Sequence, residues 1–300
     1  MVEATTRLGI PAADARLLAI GHCATIGLPV AGLVARIGRP GWPAENLAAE
    51  LRIARHFRKC GVSVISPADY VAPRPVVTAA GAVTFWPLLR PIAADLDWGW
   101  LGRTLRMLHG VPVRTDLPSL RDPVGRVEWR LSTYAGRADA RSDVVAAFSE
   151  GCGRARDMLS RVRSTLGVGS VHGDPANVVV IREGPLLLDF DLAGTGPAEW
   201  DLVSIAIRKR RFGLAPEAWN EFRSAYGFTR ERWAGFEPLL RVRELLDASF
   251  VLASIDAHPE AVAELEVRIR ALLDPGDRSL WNSLALVAST RRRRHREIGP

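Results

Sequence analysis

Residues 171–191 constrain the fold more than any other part of this sequence, because they contain two short apolar runs around a polar break. The runs are Val178–Ile181 and residues 186–188, and the break between them is Arg182-Glu183-Gly184-Pro185. Short apolar runs joined by turn-forming residues are typical of a β-hairpin. The sequence therefore predicts a hairpin in the second half of the chain.

The register of this hairpin decides which polar residues meet. If Ile181 pairs with Leu186, Asn177 lies opposite Phe190 and shares one end of the hairpin with Asp189. Facing or diagonal positions on neighbouring strands are about 5–8 Å apart, a span that a cation between two oxygen ligands can bridge. The structural alternative is a hairpin with polar caps, since Asp and Asn are common at turns.

Asp174, on the loop before the hairpin, joins Asn177 and Asp189 in a set of oxygen-bearing side chains. Magnesium prefers such ligands and keeps coordination positions for phosphate oxygens. Phosphoryl transfer requires a protein mainly to align the acceptor with the γ-phosphate and to neutralise charge, so Asp174 need only orient a hydroxyl. The set therefore predicts Mg²⁺-assisted phosphoryl transfer.

The N-terminal part of the chain has the pattern of a sheet with one helix. Apolar runs separated by glycines between residues 15 and 37 favour strands. Apolar residues at helical spacing follow over residues 43–61, and the runs 75–79 and 83–88 favour a second hairpin. We therefore expect a strand-rich lobe with one helix over residues 1–88.

After Pro91 the pattern is mostly helical, with a brief return to strands between residues 171 and 190. The predicted helices cover residues 98–109, 144–166, 219–226, 236–255, 259–273 and 278–290. A proline-containing stretch, 111–122, separates the first two. We therefore expect an α+β chain whose larger, mostly helical lobe covers residues 89–300.

The composition fits a two-lobed globular enzyme. A chain of 300 residues, 48% of them hydrophobic, is large enough for two lobes with their own cores. Apolar stretches are short or interrupted, and the N-terminus lacks the pattern of a secretory leader, so we expect a cytoplasmic protein without a membrane segment. The cysteines, Cys23, Cys60 and Cys152, show neither disulfide-framework nor metal-site spacing.

The formal net charge is +7, and nearly all of the basic residues are arginines, with Lys59 and Lys209 as the only lysines. The arginines alternate with acids along helical segments and cluster only at residues 208–211 and 291–294. No base-stacking motif accompanies these runs, so we expect no nucleic-acid partner. Nucleic-acid binding through the runs is the alternative, and it predicts an affinity that falls steeply with salt.

Four motifs in combination resemble the aminoglycoside-phosphotransferase branch of the protein-kinase-like superfamily. They are His172-Gly173-Asp174, Asn177, Asp189-Phe190-Asp191 and Gly196-Pro197-Ala198-Glu199-Trp200-Asp201-Leu202. The resemblance implies a bilobal protein-kinase-like fold, with a nucleotide-binding lobe over residues 1–88 and a catalytic and substrate-binding lobe over residues 89–300. It also implies transfer of the γ-phosphate of ATP to a hydroxyl of a small molecule, with ATP and Mg²⁺ as cofactors.

The resemblance also implies roles for individual residues. Asp174 is the expected catalytic aspartate, and Asn177 and Asp189 are the expected magnesium ligands. His172 is expected to brace the catalytic loop. Asp201 is expected to cap the backbone amides of that loop from the start of a helix.

In kinases a strand lysine pairs with a helix glutamate and holds the α- and β-phosphates. The corresponding predicted strand of this chain, residues 33–37, contains no lysine. Arg36 is the best substitute and Glu50 its expected partner; the alternative is an arginine at a strand edge that faces water. A guanidinium binds phosphate with a different geometry from an ammonium. At the expected hinge, Trp86 or Leu88 should contact adenine, because Pro87 lacks an amide; the alternative there is ordinary core packing.

The catalytic loop departs from the family pattern. The family usually places the metal-binding asparagine five residues after the catalytic aspartate, whereas Asn177 follows Asp174 by three. A displacement near 1 Å can lower a rate on the order of 100-fold. The alternative function is therefore a catalytically silent, kinase-like nucleotide-binding protein.

The sequence leaves open which acceptor is used, whether ATP or GTP is the donor, and what the oligomeric state is. An aminoglycoside, a sugar or an amino alcohol would each supply the hydroxyl. An acidic wall for an aminoglycoside would come from Glu231, Glu237, Glu244, Asp247 and Asp256. Acids spaced in this way more often form a solvated helix face, which is the interpretation we favour.

Overall fold

A computed structural model describes residues 1–20, 23–38, 42–114, 117–120, 122–228, 233–255 and 261–282. The chain forms two compact units. Residues 1–120 and 168–197 make the first, and residues 121–167 and 198–300 make the second. The lobes predicted from the sequence, 1–88 and 89–300, divide the chain differently, and that boundary stays a prediction.

The first unit is built around a five-stranded antiparallel sheet. Its strands are β1 (Arg16–Ile20), β2 (Cys23–Leu28), β3 (Leu33–Gly38), β4 (Val76–Thr78) and β5 (Gly81–Pro87), in the spatial order β1-β2-β3-β5-β4. Because side chains alternate along a strand, Leu33 and Ala35 pack into an apolar core with Phe85, whereas Val34 and Arg36 line a cavity. The predicted strand-rich N-terminal region is confirmed.

Two helices accompany this sheet. The predicted helix after β3 is present as α2 (Ala44–Lys59), which packs on β5 and ends before Gly61, at a φ of 83° that glycine adopts without strain. Its buried face includes Glu50, whose side chain is 1% exposed. A shorter helix, α1 (Val2–Arg7), packs beside β4 and was not predicted.

The remaining elements of the first unit surround the residues with predicted roles. They are α3 (Trp98–His109), β6 (Val168–Val171), β7 (Val178–Ile181), β8 (Gly184–Leu187) and β9 (Gly194–Pro197). The Asp97 carboxylate caps α3 by accepting a hydrogen bond from the Trp100 N–H at 2.7 Å. Strand β6 pairs with β9, and β7 pairs with β8, so the predicted hairpin is present.

The second unit is helical. It contains α4 (Pro123–Ala135), α5 (Ser142–Arg161), α6 (Glu199–Arg211), α7 (Pro216–Tyr226), α8 (Phe236–Leu252) and α9 (Val262–Leu273). Helix α8 packs against α4, α5, α6 and α9. It is apolar on most of its sides, and these contacts bury those sides. The β-sheet N-terminal region and the helical C-terminal region confirm the predicted α+β class.

One helix of this unit was not predicted and one predicted helix was wrong. The sequence analysis assigned no element to residues 123–143, whereas α4 begins there with Pro123 in its first turn, behind the N-cap Asp122. The predicted helix 278–290 is absent over residues 278–282, which are irregular, and residues 283–290 lie outside the described residues.

The arginine run 208–211 is largely engaged within the second unit. Arg210 pairs with Glu237 at 2.6 Å, and Arg211 pairs with Glu244 at 2.7 Å. The Arg208 guanidinium lies over an aromatic ring, that of Phe212. Residues 291–294 lie outside the described residues. In the part of the chain that the structure describes, no helix combines the length and apolar character needed to cross a membrane.

Candidate active site

The loop between β6 and β7 presents the predicted catalytic aspartate. His172, at the end of β6, is fully buried, and its Nδ1 lies 3.4 Å from the Asp174 N–H that donates to it. Gly173 has a φ of 88°, and a Cβ at this position would lie 2.4 Å from the Cβ of Leu192. Glycine is therefore required between the histidine and the aspartate.

The short spacing between Asp174 and Asn177 takes the form of a β-turn. The Asn177 N–H and its side-chain Nδ2 both donate to the Asp174 carbonyl oxygen at 3.2 Å. Pro175 occupies the second position of this turn, where its fixed φ is suitable. The amide group of Asn177 is thereby oriented, and its Oδ1 accepts no hydrogen bond from the described residues.

The hairpin after this turn has a register two residues away from the predicted one. Ile181 pairs with Gly184 rather than with Leu186, so only Arg182 and Glu183 form the tip. Gly184 has a φ of 123° and begins β8, although the sequence pattern had assigned it to the turn. A tight hairpin needs a positive φ near its tip, and the glycine supplies it at the first strand position.

The corrected register still brings Asn177 close to Asp189. The Asn177 carbonyl accepts a hydrogen bond from the Leu188 N–H at 2.9 Å, so Asn177 faces Leu188 rather than Phe190. Asp189 is the next residue, and both polar side chains line the same cavity. Among the described residues, Asp189 is the one non-glycine residue with a positive φ, 65°, a conformation that costs on the order of 1–3 kcal/mol.

Arg36 connects two parts of this site through one guanidinium group. Its Nη1 donates to Glu50 Oε2 at 2.8 Å, and its Nη2 donates to Asp189 Oδ1 at 2.9 Å. The expected pairing of Arg36 with Glu50 is present, and the arginine lines the cavity instead of facing bulk water at a strand edge. The contact with Asp189 was not predicted.

The carboxylates of the site are crowded. Partial burial of its carboxylate raises the pKa of Asp189, and the negative charges of Asp191 and Asp174 raise it further, against the lowering effect of Arg36. Burial opposes the charge on Arg36, but Glu50 and Asp189 outweigh it and raise the pKa of the guanidinium overall. The site therefore carries excess negative charge, which favours a bound cation.

The cavity has a volume of about 450 Å³ and extends from Arg36 to the end of β5. Trp86 lines it, with its Nε1 donating to Thr84 Oγ1 at 3.1 Å. Leu88 also lines it, but its N–H donates to the Gly32 carbonyl at 2.9 Å. The Leu88 N–H is therefore engaged within the protein, while Leu88 forms part of the cavity wall, and the adenine contact of Trp86 or Leu88 stays a prediction.

Aromatic rings pack around Phe190, beside Asp189, and the sequence analysis missed this cluster. The Phe190 ring lies 5.3 Å from the His172 ring, 6.2 Å from the Phe57 ring and 6.4 Å from the Trp86 ring, measured between centroids. These contacts join helix α2, strand β5 and the catalytic loop. The aromatic residues are far apart in sequence, so no local pattern could have grouped them.

The donor set suits a magnesium ion that is held partly by phosphate. Within the described residues, no three His, Cys, Asp or Glu side chains are grouped closely enough to hold a metal ion. Magnesium is usually bound through one or two carboxylates together with substrate phosphates, rather than by a protein cage. The Asp189 carboxylate and the Asn177 amide oxygen fit that arrangement.

Two buried acids lie at the start of α6 in the second unit. Asp201, in the first turn, is fully buried; its predicted support of the catalytic loop stays a prediction. Glu199, which the sequence analysis gave no role, accepts hydrogen bonds from the Thr165 N–H at 2.6 Å and the Leu166 N–H at 2.8 Å. Its place two residues before Asp201 in a shared motif was the signal that could have identified it.

The described members of the hypothetical acidic wall are all in ion pairs. Glu237 pairs with Arg210, and Asp247 pairs with Arg243 at 2.9 Å. Glu244 is buried, so it belongs to no solvated helix face either. The interpretation as a solvated helix face is therefore wrong for that residue. The other two members, Glu231 and Asp256, lie outside the described residues.

Comparison with known proteins identifies the family. A family model described as "Phosphotransferase enzyme family" (APH) matches residues 26–236. The chain belongs to this family. The predicted resemblance to the aminoglycoside-phosphotransferase family is thereby confirmed. A comparison of this family member with curated proteins gave no match.

Solved structures of similar fold include several small-molecule kinases. The amicoumacin kinase hAmiN, in complex with AMP-PNP and Ca²⁺, is 15% identical with a TM-score of 0.65, and the match covers 89% of this chain and 90% of that one. The choline kinase LicA from Streptococcus pneumoniae is 12% identical with a TM-score of 0.61 (86% and 91% covered). The aminoglycoside phosphotransferase APH(3'')-Id from Streptomyces rimosus, with ADP and streptomycin, is 16% identical with a TM-score of 0.56 (82% and 99% covered). This phosphotransferase family member therefore has the protein-kinase-like fold.

Proposed function

We propose that this phosphotransferase family member transfers the γ-phosphate of ATP to a hydroxyl group of a small molecule. The observation that carries the proposal is that residues with predicted roles line one cavity, the cavity of about 450 Å³ described above. It is lined by Arg36, Asn177 and Asp189, with Trp86 and Leu88 at its other end. Basic, amide and carboxylate groups beside an apolar wall suit a nucleotide, because its phosphates need charge compensation and its base needs apolar contacts.

In the proposed reaction, the acceptor oxygen forms a bond to the γ-phosphorus as the bond from that phosphorus to the bridging oxygen of ADP breaks. Asp174 orients the acceptor hydroxyl and takes its proton, and ADP leaves with the electron pair of the broken bond. Asn177 and Asp189 would hold Mg²⁺, which neutralises phosphate charge when it is bound. Arg36 would contact the α- and β-phosphates, with Glu50 holding its guanidinium in place.

The acceptor belongs to the class of small hydroxyl compounds, and aminoglycosides, sugars and amino alcohols all remain candidates. The ion pairs of Glu237, Glu244 and Asp247 leave these acids poorly suited to bind a polycation. A neutral or singly charged acceptor, such as a sugar or an amino alcohol, would not need them. Because the reaction consumes ATP, we also propose a cytoplasmic location.

The alternative, a catalytically silent nucleotide-binding protein, rests on the shortened loop. The β-turn from Asp174 to Asn177 argues against it, because the turn absorbs the shorter spacing and Asn177 still lines the cavity. A silent protein would bind nucleotide without acceptor-dependent turnover.

The test is ADP release from MgATP across a panel of aminoglycosides, sugars and amino alcohols. We expect acceptor-dependent turnover by the wild type, and a loss of at least about 100-fold in Asp174→Ala and Asp189→Ala. Asp139→Ala is the matched control, since that carboxylate is 71% exposed and, among the described residues, pairs only with Arg137. Nucleotide binding without turnover would favour the silent alternative, and the absence of nucleotide binding would refute the proposal.

A further inference from the structure

The bond between Arg36 and Asp189 has a consequence for the order in which ligands reach the proposed site. Arg36 Nη2 lies 2.9 Å from Asp189 Oδ1, so an oxygen that would serve a cation is engaged by a guanidinium. The neighbouring carboxylates Asp191 and Asp174 act on Asp189 with the same sign of charge. Arg36 therefore does for Asp189 what a bound cation would do.

Arg36 is also the side chain that the proposed function assigns to the nucleotide phosphates. A guanidinium that binds Glu50 and Asp189 at 2.8 and 2.9 Å cannot keep both contacts at full strength while it binds a phosphate. Glu50 is 1% exposed, so separating this buried carboxylate from the Arg36 guanidinium would be costly, whereas Asp189 is 42% exposed and can be solvated. The contact with Asp189 is therefore the one that a phosphate displaces.

We propose that Arg36 is a built-in counter-ion of Asp189, which the nucleotide must draw away before Asp189 can bind a divalent cation. The inference rests on the proposed function and deepens it. It means that metal and nucleotide enter as a linked pair, because each ligand removes the competitor of the other. Free divalent cation without nucleotide is accordingly a weak ligand.

An arginine at position 36 can bind two carboxylates at once, which a lysine does less well. A guanidinium offers separate nitrogens to two carboxylates, and Nη1 and Nη2 are used in this way here. An ammonium is a compact point charge without such a fork. We therefore expect Arg36→Lys to keep Glu50 paired and to release Asp189 in part.

The decisive experiment measures the binding of Mn²⁺ alone, and of ADP in the presence of EDTA, by isothermal titration calorimetry. The double variant Arg36→Gln/Glu50→Gln replaces the ion pair with two amides, so that no buried charge is left unpaired. We expect Mn²⁺ to bind at least about tenfold more tightly than to the wild type, and ADP at least about tenfold more weakly. A purely structural role of Arg36 would weaken both ligands together.

Two controls define the site. Glu50→Gln alone keeps the contact between Arg36 and Asp189, so Mn²⁺ should bind it no more tightly than it binds the wild type. Adding Asp189→Asn to the double variant should abolish the gain in Mn²⁺ affinity. Unchanged or weaker Mn²⁺ binding by a double variant with a normal circular dichroism spectrum would overturn the counter-ion role. Failure of the wild type to bind ADP in the presence of Mg²⁺ would instead refute the proposed function, and the Mn²⁺ comparison would still decide whether Arg36 masks Asp189.

Discussion

Arg36 in the first unit and Arg211 in the second each bind two carboxylates, but the surroundings of the two guanidinium groups differ. Arg36 contacts Asp189 at 2.9 Å, and that aspartate is half-exposed on a cavity. Arg211 is fully buried and contacts Glu244 at 2.7 Å and Asp277 at 3.0 Å. The same ion-pair chemistry is therefore used once beside a candidate ligand site and once inside a helical core.

The two aspartates have opposite pKa directions. Burial and the charge of Asp191 raise the pKa of Asp189. Burial alone would also raise the pKa of Asp277, but hydrogen bonds from the Ser279 N–H and hydroxyl, together with the Arg211 guanidinium, lower it overall. The charge of Asp277 is thus satisfied by its neighbours, whereas the charge of Asp189 is in excess.

An aromatic ring also contacts the guanidinium groups of the second arrangement. The Trp281 ring lies 5.2 Å from the Arg211 guanidinium and 4.9 Å from that of Arg268, distances at which cation–π attraction operates. Arg268 in turn pairs with Glu264 at 2.8 Å. The comparison teaches that balanced buried charge stabilises one unit, while the other keeps unbalanced charge and a strained backbone where we propose that ligands bind.

The largest expected effect comes from Glu244→Ala in the balanced network. Glu244 accepts from Arg211 and Arg241 at 2.7 Å and lies 3.7 Å from Arg210, so its removal leaves three guanidinium groups near one another. We expect the free energy of unfolding to fall by about 3–5 kcal/mol, measured by urea denaturation.

Glu150→Ala is the matched control for this loss. Glu150 is exposed and pairs with Arg154 one helical turn away, so its removal should change the free energy of unfolding by less than about 0.5 kcal/mol. Equal effects of the two substitutions would remove the distinction between the buried network and an ordinary surface pair.

The sequence could predict one of the two contacts of Arg36 but not the other. The partnership of Arg36 with Glu50 spans 14 residues and follows from the order of strand, break and helix, which apolar periodicity indicates locally. The contact of Arg36 with Asp189 spans 153 residues and depends on packing. Periodicity carries no information on such a contact.

The errors in secondary structure have the same origin. The hairpin was displaced by two residues because a glycine at a positive φ can begin a strand as well as form a turn, and the pattern alone does not distinguish the two uses. Residues 278–282 are not helical because their backbone bonds elsewhere. The Trp281 N–H donates to the Arg211 carbonyl, and the Asn282 N–H donates to the Glu264 carboxylate. These tertiary bonds replace the helical ones.

A smaller effect is expected from Asp277→Asn, which tests whether the charge of Asp277 is stabilising. The variant keeps the shape of the side chain but loses the charge that Arg211 and Ser279 support. We expect the free energy of unfolding at pH 7 to fall by about 1–2 kcal/mol, since the contacts are charge-assisted and partly solvated.

The sign of the pH dependence sharpens this prediction. Because the pKa of Asp277 is lowered from its ordinary value of 3.8, its contribution is present above that pH and is lost as the pH falls through the folded-state pKa. The difference in stability between the wild type and Asp277→Asn should therefore shrink below about pH 4. A gap that stays constant down to pH 2 would show that the loss comes from packing and not from charge.

The smallest expected effect, and the one that separates the two aspartates most directly, is the difference between glycine and alanine at each position. At Asp189 both substitutions remove the carboxylate and its contact with Arg36, so they differ only in how they tolerate a φ of 65°. Glycine adopts this conformation freely and alanine does not, so Asp189→Gly should be more stable than Asp189→Ala by about 1 kcal/mol.

Asp277 has no positive φ. At that position the alanine variant should be the more stable one by about 0.5–1 kcal/mol, because glycine loses more backbone entropy on folding. Urea denaturation of the four variants gives both differences. Greater stability of the alanine variant at both positions would mean that the backbone of Asp189 is not strained, and that the first unit differs from the second in charge alone.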